Sequence, residues 1–324
     1  MPAPHGRAPG GPAASAHPTA LTHPTALTHP TALTHPTASA HPTALTHPTA
    51  SAHPTASAHP TALAHPAAPV HPGRLVPSLE RAVLAHRGLP SAAPENTMAA
   101  FRAAADAGAR WIETDVDLLA DGTPVLIHDT ALERTTDRGG SIYGLRAADL
   151  AHVDAGSWFG PDFAGERLPT LEAFIDFVNE RGINANIELK ANEQGAARSV
   201  ELVDTLAAAL ERLDAGRQVL VSSFSQPLLM AFHQRHPQYA TAVLYESTTI
   251  RPDWRSVAEL CGAVAIHPED TGLTEAMVRA ARAAGYGVNV WTVNRPDRAN
   301  QLFNWGCTGV FTDVYPLLAA GPAR

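Results

Sequence analysis

The chain has 324 residues and a formal charge of −8, and its Lys and Arg residues do not cluster, which argues against a nucleic-acid partner. No apolar run approaches the roughly 18 residues of a membrane span, and no basic region followed by an apolar stretch opens the chain. Cys261 and Cys307 lack a CxxC neighbour and read as two reduced core thiols, so the expected compartment is the cytoplasm. The oligomeric state is not legible.

From His17 to His71 a His-Pro pair recurs at every sixth position. Proline removes amide donors and turns its predecessor away from helix. Each unit has too little apolar surface to offset chain entropy. Residues 1–75 are therefore expected to be a disordered, partly polyproline-like tail, and residues 76–324 the folded domain. A histidine-rich tract could bind metal ions, but the repeat shows no site geometry.

Beyond Pro77, short apolar runs alternate with alanine-rich amphipathic stretches. Strands are expected at 82–86, 111–116, 124–128, 184–190, 219–224, 241–245, 263–267, 287–293 and 309–312. Helices are expected at 96–107, 170–181, 196–213, 226–235, 253–260, 274–284 and 296–305, with Asn96, Thr170, Thr274 and Pro296 as starts. This alternation implies a parallel sheet. Nine strands are one too many for a (β/α)8 TIM barrel. Between Val116 and Pro124 there is no room for a crossover helix, and Asp121-Gly122 is a hairpin signal. The run 124–128 should therefore be antiparallel, with a small insertion after it. Centring the turn between Asp121 and Gly122 places His128 opposite Asp115.

Functional groups in such barrels gather at the C-terminal ends of the strands. Those ends carry His86-Arg87, Glu113 with Asp115, His128-Asp129, Glu188 with Lys190, and Trp291. Glu113 and Asp115 are two apart on a strand and share a face, as do Glu188 and Lys190. Three converging carboxylates need a cation, and an all-oxygen set suits Mg²⁺ or Ca²⁺. His86 and His128 would flank that ion as an acid/base pair. Arg87 offers a planar fork for phosphate. Lys190 is the only lysine in the chain, against 22 arginines, and it lies inside a strand, where a bare ammonium is costly. Glu95 and Asn96 could orient the metal shell or Arg87, with helix capping by Asn96 as the rival reading. Trp291 could wall the alcohol or glycerol pocket, with a core or rim aromatic as the rival reading. His267 is a further pocket candidate, while His152, His233 and His236 should face solvent.

These residues sit within a run of ordered motifs: HRG at 86–88, PENT at 94–97, IETDV at 112–116, HD at 128–129, NANIELK at 184–190, SSF at 222–224 and WTVNRP at 291–296. The run resembles the glycerophosphodiester phosphodiesterase family over about residues 81–315, the bacterial cytoplasmic UgpQ type in particular. The resemblance implies a TIM barrel that hydrolyses glycerophosphodiesters to glycerol 3-phosphate and an alcohol such as choline or ethanolamine. It implies Glu113, Asp115 and Glu188 as ligands of one divalent cation, His86 and His128 as acid and base, and Arg87 and Lys190 as phosphate contacts. The His-Pro repeat has no counterpart there. Two other readings are a phospholipase D-like barrel acting on lysophospholipid or sphingomyelin, and a non-catalytic protein that binds through its tail.

Overall fold

Every residue of Trp111–Leu118 is buried, although three of the eight are acidic. Only a strand covered on both faces has that pattern, which is the condition of a barrel wall. Ile112 and Val116 face the outer helices, while Trp111 belongs to the cluster that fills the barrel interior. By alternation Glu113, Asp115 and Asp117 follow Trp111 inward.

The computed structural model describes Pro77 and residues 79–319. The expected disordered tail over 1–75 lies outside the described residues. In chain order the elements are β1 (Ala82–Ala85), α1 (Met98–Asp106), β2 (Trp111–Leu118), β3 (Pro124–Leu126), α2 (Leu171–Arg181), β4 (Asn184–Leu189) and α3 (Ala196–Leu210). There follow β5 (Val219–Ser223), α4 (Gln226–Arg235), β6 (Ala240–Tyr245), α5 (Trp254–Leu260), β7 (Ala263–Pro268), α6 (Glu275–Ala283), β8 (Gly287–Val290), α7 (Pro296–Trp305), β9 (Gly309–Thr312) and α8 (Tyr315–Ala319). The strands β1, β2 and β4–β9 pair in parallel, and β1 joins both β2 and β9, which closes an eight-stranded barrel. Thr170 and Thr274 cap α2 and α6 as expected, accepting from Ala173 N and Met277 N. The short α8 was not foreseen, since five residues carry too little periodicity to be seen.

β3 is antiparallel to β2, as the missing crossover required, but its register differs by one residue from the expected pairing. Val116 faces Leu126 and Asp117 faces Val125. By continuation Ile127, not His128, comes opposite Asp115, and Ile127 N donates to Asp115 O at 3.2 Å. The cause is the turn. Leu119 and Thr123 close it, leaving three residues in the loop with Gly122 at φ +87°, instead of a two-residue turn centred on Asp121-Gly122.

The insertion after β3 has its own apolar cluster, in which Leu132, Ile142, Leu150, Val153 and Leu168 pack on Leu119, Val125 and Ile127 of the hairpin. Asp154 ties its outer loop: the amides of Gly156, Ser157 and Gly165 all donate to that carboxylate at 2.8 Å. These hydrogen bonds hold the Asp154 carboxyl well below its usual range. The hairpin and insertion thereby stand beside the C-terminal mouth of the barrel.

Candidate active site

β1 ends at Ala85, and the chain turns sharply through His86-Arg87-Gly88. Arg87 and Gly88 have φ of +54° and +89°. A side chain at Gly88 would meet the backbone of Ala100 at 2.7 Å, so only glycine lets the loop pass this close to α1. The turn directs Arg87 N at Glu113 Oε2, 2.9 Å away.

Glu113, Asp115 and Glu188 bring one oxygen each within 4.8 Å of the others, all three buried. Asp115 and Glu188 are register partners on neighbouring strands. Burial and the Asp115 charge push the Glu113 carboxyl well above its usual range, and the same two causes push Glu188 up to about 7. Burial acts on Asp115 in the same direction, but the charges of Lys190 and Arg87 lead the opposing effects and hold Asp115 ionised. Repulsion among hard oxygen donors in a buried place is what a divalent cation relieves, so the donor set fits such an ion.

The cations around the cluster are held as tightly. Lys190 Nζ lies 2.9 Å from Glu188 and 3.3 Å from Asp115. Arg87 donates to Glu95 at 2.8 Å and lies 3.5 Å from Asp115. Glu95 also accepts two bonds from Arg134, so its role is to brace Arg87. Asn96 is not the helix cap; Thr97 is, accepting from Ala100 N. Asn96 instead donates to Asp115 Oδ2 at 2.9 Å and accepts from Thr114 Oγ1 at 2.8 Å, and it does so from the left-handed region, at φ +54°.

His86 and His128 line one cavity of about 470 Å³ with Arg87, Glu113, Glu188, Lys190 and Trp291. His86 Nε2 stands 4.0 Å from Glu113, while its Nδ1 is 2.8 Å from Asp313. Asp313 is itself fixed by Asn294 Nδ2 at 2.8 Å. His128 Nδ1 bonds Asp129, which Arg134 also holds. Burial lowers the His128 pKa, so the ring tends to its neutral form. Trp291 reaches the cavity wall, with its indole N–H on His267 O and its ring edge-on to Phe224 at 5.4 Å.

Several expectations need correction. His267 is fully buried inside the barrel beside Asn289, behind Phe311, and is not among the residues that line the cavity; burial lowers its pKa to about 3. His236 does not simply face solvent, because its Nε2 bonds Asp204 at 3.0 Å. His233 packs against Gly262, where a side chain would meet its ring at 2.2 Å. His152 is exposed as expected. The residues without an assigned role in the sequence reading are Asp313 and Asp129 behind the histidines, and Asp117. Asp117 continues the alternation of Glu113 and Asp115 and was legible on that ground. It lines the cavity, is buried, and accepts from Tyr143 and Asn192, which fasten the insertion and the β4–α3 loop to β2.

A parallel eight-stranded barrel thus brings a carboxylate cluster, two basic groups and two histidines together in one mouth, a set of groups suited to a phosphate ester. Residues 86–316 match the model of the glycerophosphoryl diester phosphodiesterase family, and the chain belongs to that family. A glycerophosphodiester phosphodiesterase from Caldanaerobacter subterraneus subsp. tengcongensis is 31% identical over 235 residues, covering 72% of this chain and 95% of its own. One from Bacillus subtilis is 31% identical over 245 residues, covering 72% and 83%. A phosphodiesterase from Oleispira antarctica, solved in complex with the product sn-glycerol-3-phosphate, superposes with a TM-score of 0.70 at 33% identity, covering 74% of this chain and 95% of that one. The protein is thus a phosphoric diester hydrolase, as the ordered motifs implied.

Proposed function

We propose that this enzyme hydrolyses glycerophosphodiesters such as glycerophosphocholine or glycerophosphoethanolamine to glycerol 3-phosphate and the free alcohol. The observation that carries this reading is the single cavity in which Glu113 and Glu188 stand with Arg87, Lys190, His86 and His128. Glu113, Asp115 and Glu188 would hold one Mg²⁺ or Ca²⁺, which supplies Lewis-acid neutralisation of the phosphodiester charge. Arg87 and Lys190 bind phosphate oxygens, and their carboxylate partners keep both heads in place. With each Nδ1 on a carboxylate, His86 and His128 act through Nε2. One takes the proton of the attacking hydroxyl: water gives glycerol 3-phosphate directly, whereas the glycerol 2-hydroxyl gives a cyclic phosphate that water then opens to glycerol 3-phosphate. The other gives a proton to the departing alcohol. Trp291 walls the alcohol side. We place the enzyme in the cytoplasm, where the buried free thiols of Cys261 and Cys307 stay reduced.

The test is release of glycerol 3-phosphate from several headgroup diesters, with EDTA and metal add-back, beside choline release from micellar lysolipid. Metal-restored glycerol 3-phosphate release supports the reading. Choline release from lysolipid alone would overturn it in favour of a phospholipase D-like activity.

A further inference from the structure

Facing residues of β2 and β4 set out a square. Glu113 is the register partner of Asn186, and Asp115 of Glu188. Alternate residues of a strand share a face, so these four side chains point into the barrel side by side. Three corners are the carboxylates already described, and Asn186 is the fourth. It is 1% exposed and lines the same cavity. Its Nδ2 donates to Ser222 Oγ at 2.9 Å, which fixes the amide, while its Oδ1 is buried with no hydrogen-bond partner among the described residues.

Buried acceptors are nearly always paired, and an unpaired one asks for an explanation. An apolar residue would avoid the penalty here, since Leu220 and Ala242 fill neighbouring parts of the barrel interior. A carboxamide oxygen has a property that neither an apolar residue nor a fourth acid offers. It is a hard donor, suited to Mg²⁺ or Ca²⁺, and it adds no negative charge to three carboxylates already crowded together.

We propose that Asn186 Oδ1 is a fourth protein oxygen in the shell of the cation held by Glu113, Asp115 and Glu188, on the ion itself or on one of its waters. This rests on the metal reading of the cluster. Asn186 is then a positioning residue, which acts on the substrate only through the ion.

The experiment titrates the EDTA-stripped full-length protein with Mg²⁺ and with Ca²⁺ by calorimetry, comparing wild type with Glu188→Ala, Asn186→Leu and Asn186→Asp. Asn186→Leu should bind about 10–100-fold more weakly, as removal of a supporting group around a metal does. Asn186→Asp, which keeps the oxygen, should bind at least as tightly as wild type. Glu188→Ala should lose binding. Wild-type affinity in Asn186→Leu, with binding lost in Glu188→Ala, would overturn this inference and leave the metal reading standing. Weakening of Asn186→Asp to the level of Asn186→Leu would show that the amide N–H matters, and would also overturn it. If wild type binds neither ion, the metal reading falls first and this inference with it. A thermal readout separates a merely structural role: the rise in Tm on adding metal should shrink in Asn186→Leu, whereas a packing defect lowers Tm equally with and without metal. Asn186→Ala, which leaves space instead of bulk, repeats the comparison if leucine is not accommodated.

Discussion

Asn96 joins the first loop of the barrel to its second strand, and replacing it with alanine breaks three things at once. The bond to the ionised Asp115 is lost, a contribution of about 1.5–3 kcal/mol. The Thr114 hydroxyl, fully buried, is left without its acceptor, at about 1–3 kcal/mol. Alanine at φ +54° adds about 1 kcal/mol of backbone strain. We expect Asn96→Ala to destabilise the protein by about 4 kcal/mol, in the range of a severe single substitution. Asn96→Gly loses both side-chain bonds but adopts this φ freely, so it should be about 1 kcal/mol less damaging. Urea unfolding in EDTA measures both, and kcat/KM should fall together with stability, because Asp115 loses its lateral support. Two results would refute the reasoning: near-wild-type stability of Asn96→Ala, or full activity in a variant that is destabilised as expected. The second would make Asn96 a structural joint with no hold on the site.

Asp313→Ala frees the His86 ring by removing a charge-assisted bond, so kcat/KM should drop about 10–100-fold with little change in Tm; unchanged kcat/KM would remove Asp313 from the machinery. Asp129 is raised by burial but held down to about 2 by Arg134 and His128, so its contribution is complete above the unfolded carboxyl pKa and is lost as pH falls from about 4 through 2. The Asp129→Asn variant should therefore be less stable than wild type at neutral pH, by no more than about 1 kcal/mol because solvent screens this half-exposed pair, and the gap should close in acid; a constant gap in pH-dependent unfolding would count against this. Deleting residues 1–75, whose composition argues against a core, should leave turnover unchanged, and a large loss of activity would make the repeat part of the enzyme.

Much of this was legible because strand patterning and chemistry coincide in a barrel. Glu113, Asp115, Glu188 and Lys190 stand two apart in otherwise apolar runs, and alternation alone turns each pair inward. The antiparallel β3 followed from the missing crossover between Val116 and Pro124. Its register did not, because Asp-Gly serves both two- and three-residue loops, and only the Leu119–Thr123 closure decides between them. The His86–Asp313 pair spans 227 positions, and nothing local in either motif announces the other. Asn96 read equally well as a helix cap because Asn suits both a cap and a left-handed residue; the choice is made by Thr97 taking the cap. Asn186 passed unnoticed because the strand pattern marks it only as inward-facing. The unpartnered oxygen that distinguishes it exists only once Ser222 has claimed the other end of its amide.

The His86–Asp313 contact lies where the barrel's first strand meets its last, through the pairing of Ala82–Ala85 with Gly309–Thr312. On the proposed role of His86, catalytic competence is bound to the seam of the fold. A nascent chain that has made every strand but β9 already carries both histidines and all three carboxylates, yet His86 has no anchor until the final strand docks. If His86 acts as proposed, full activity should appear only once β9 has docked. A circular permutant cut elsewhere and joined across this seam would show whether the anchor can be secured at the start of folding instead of its end.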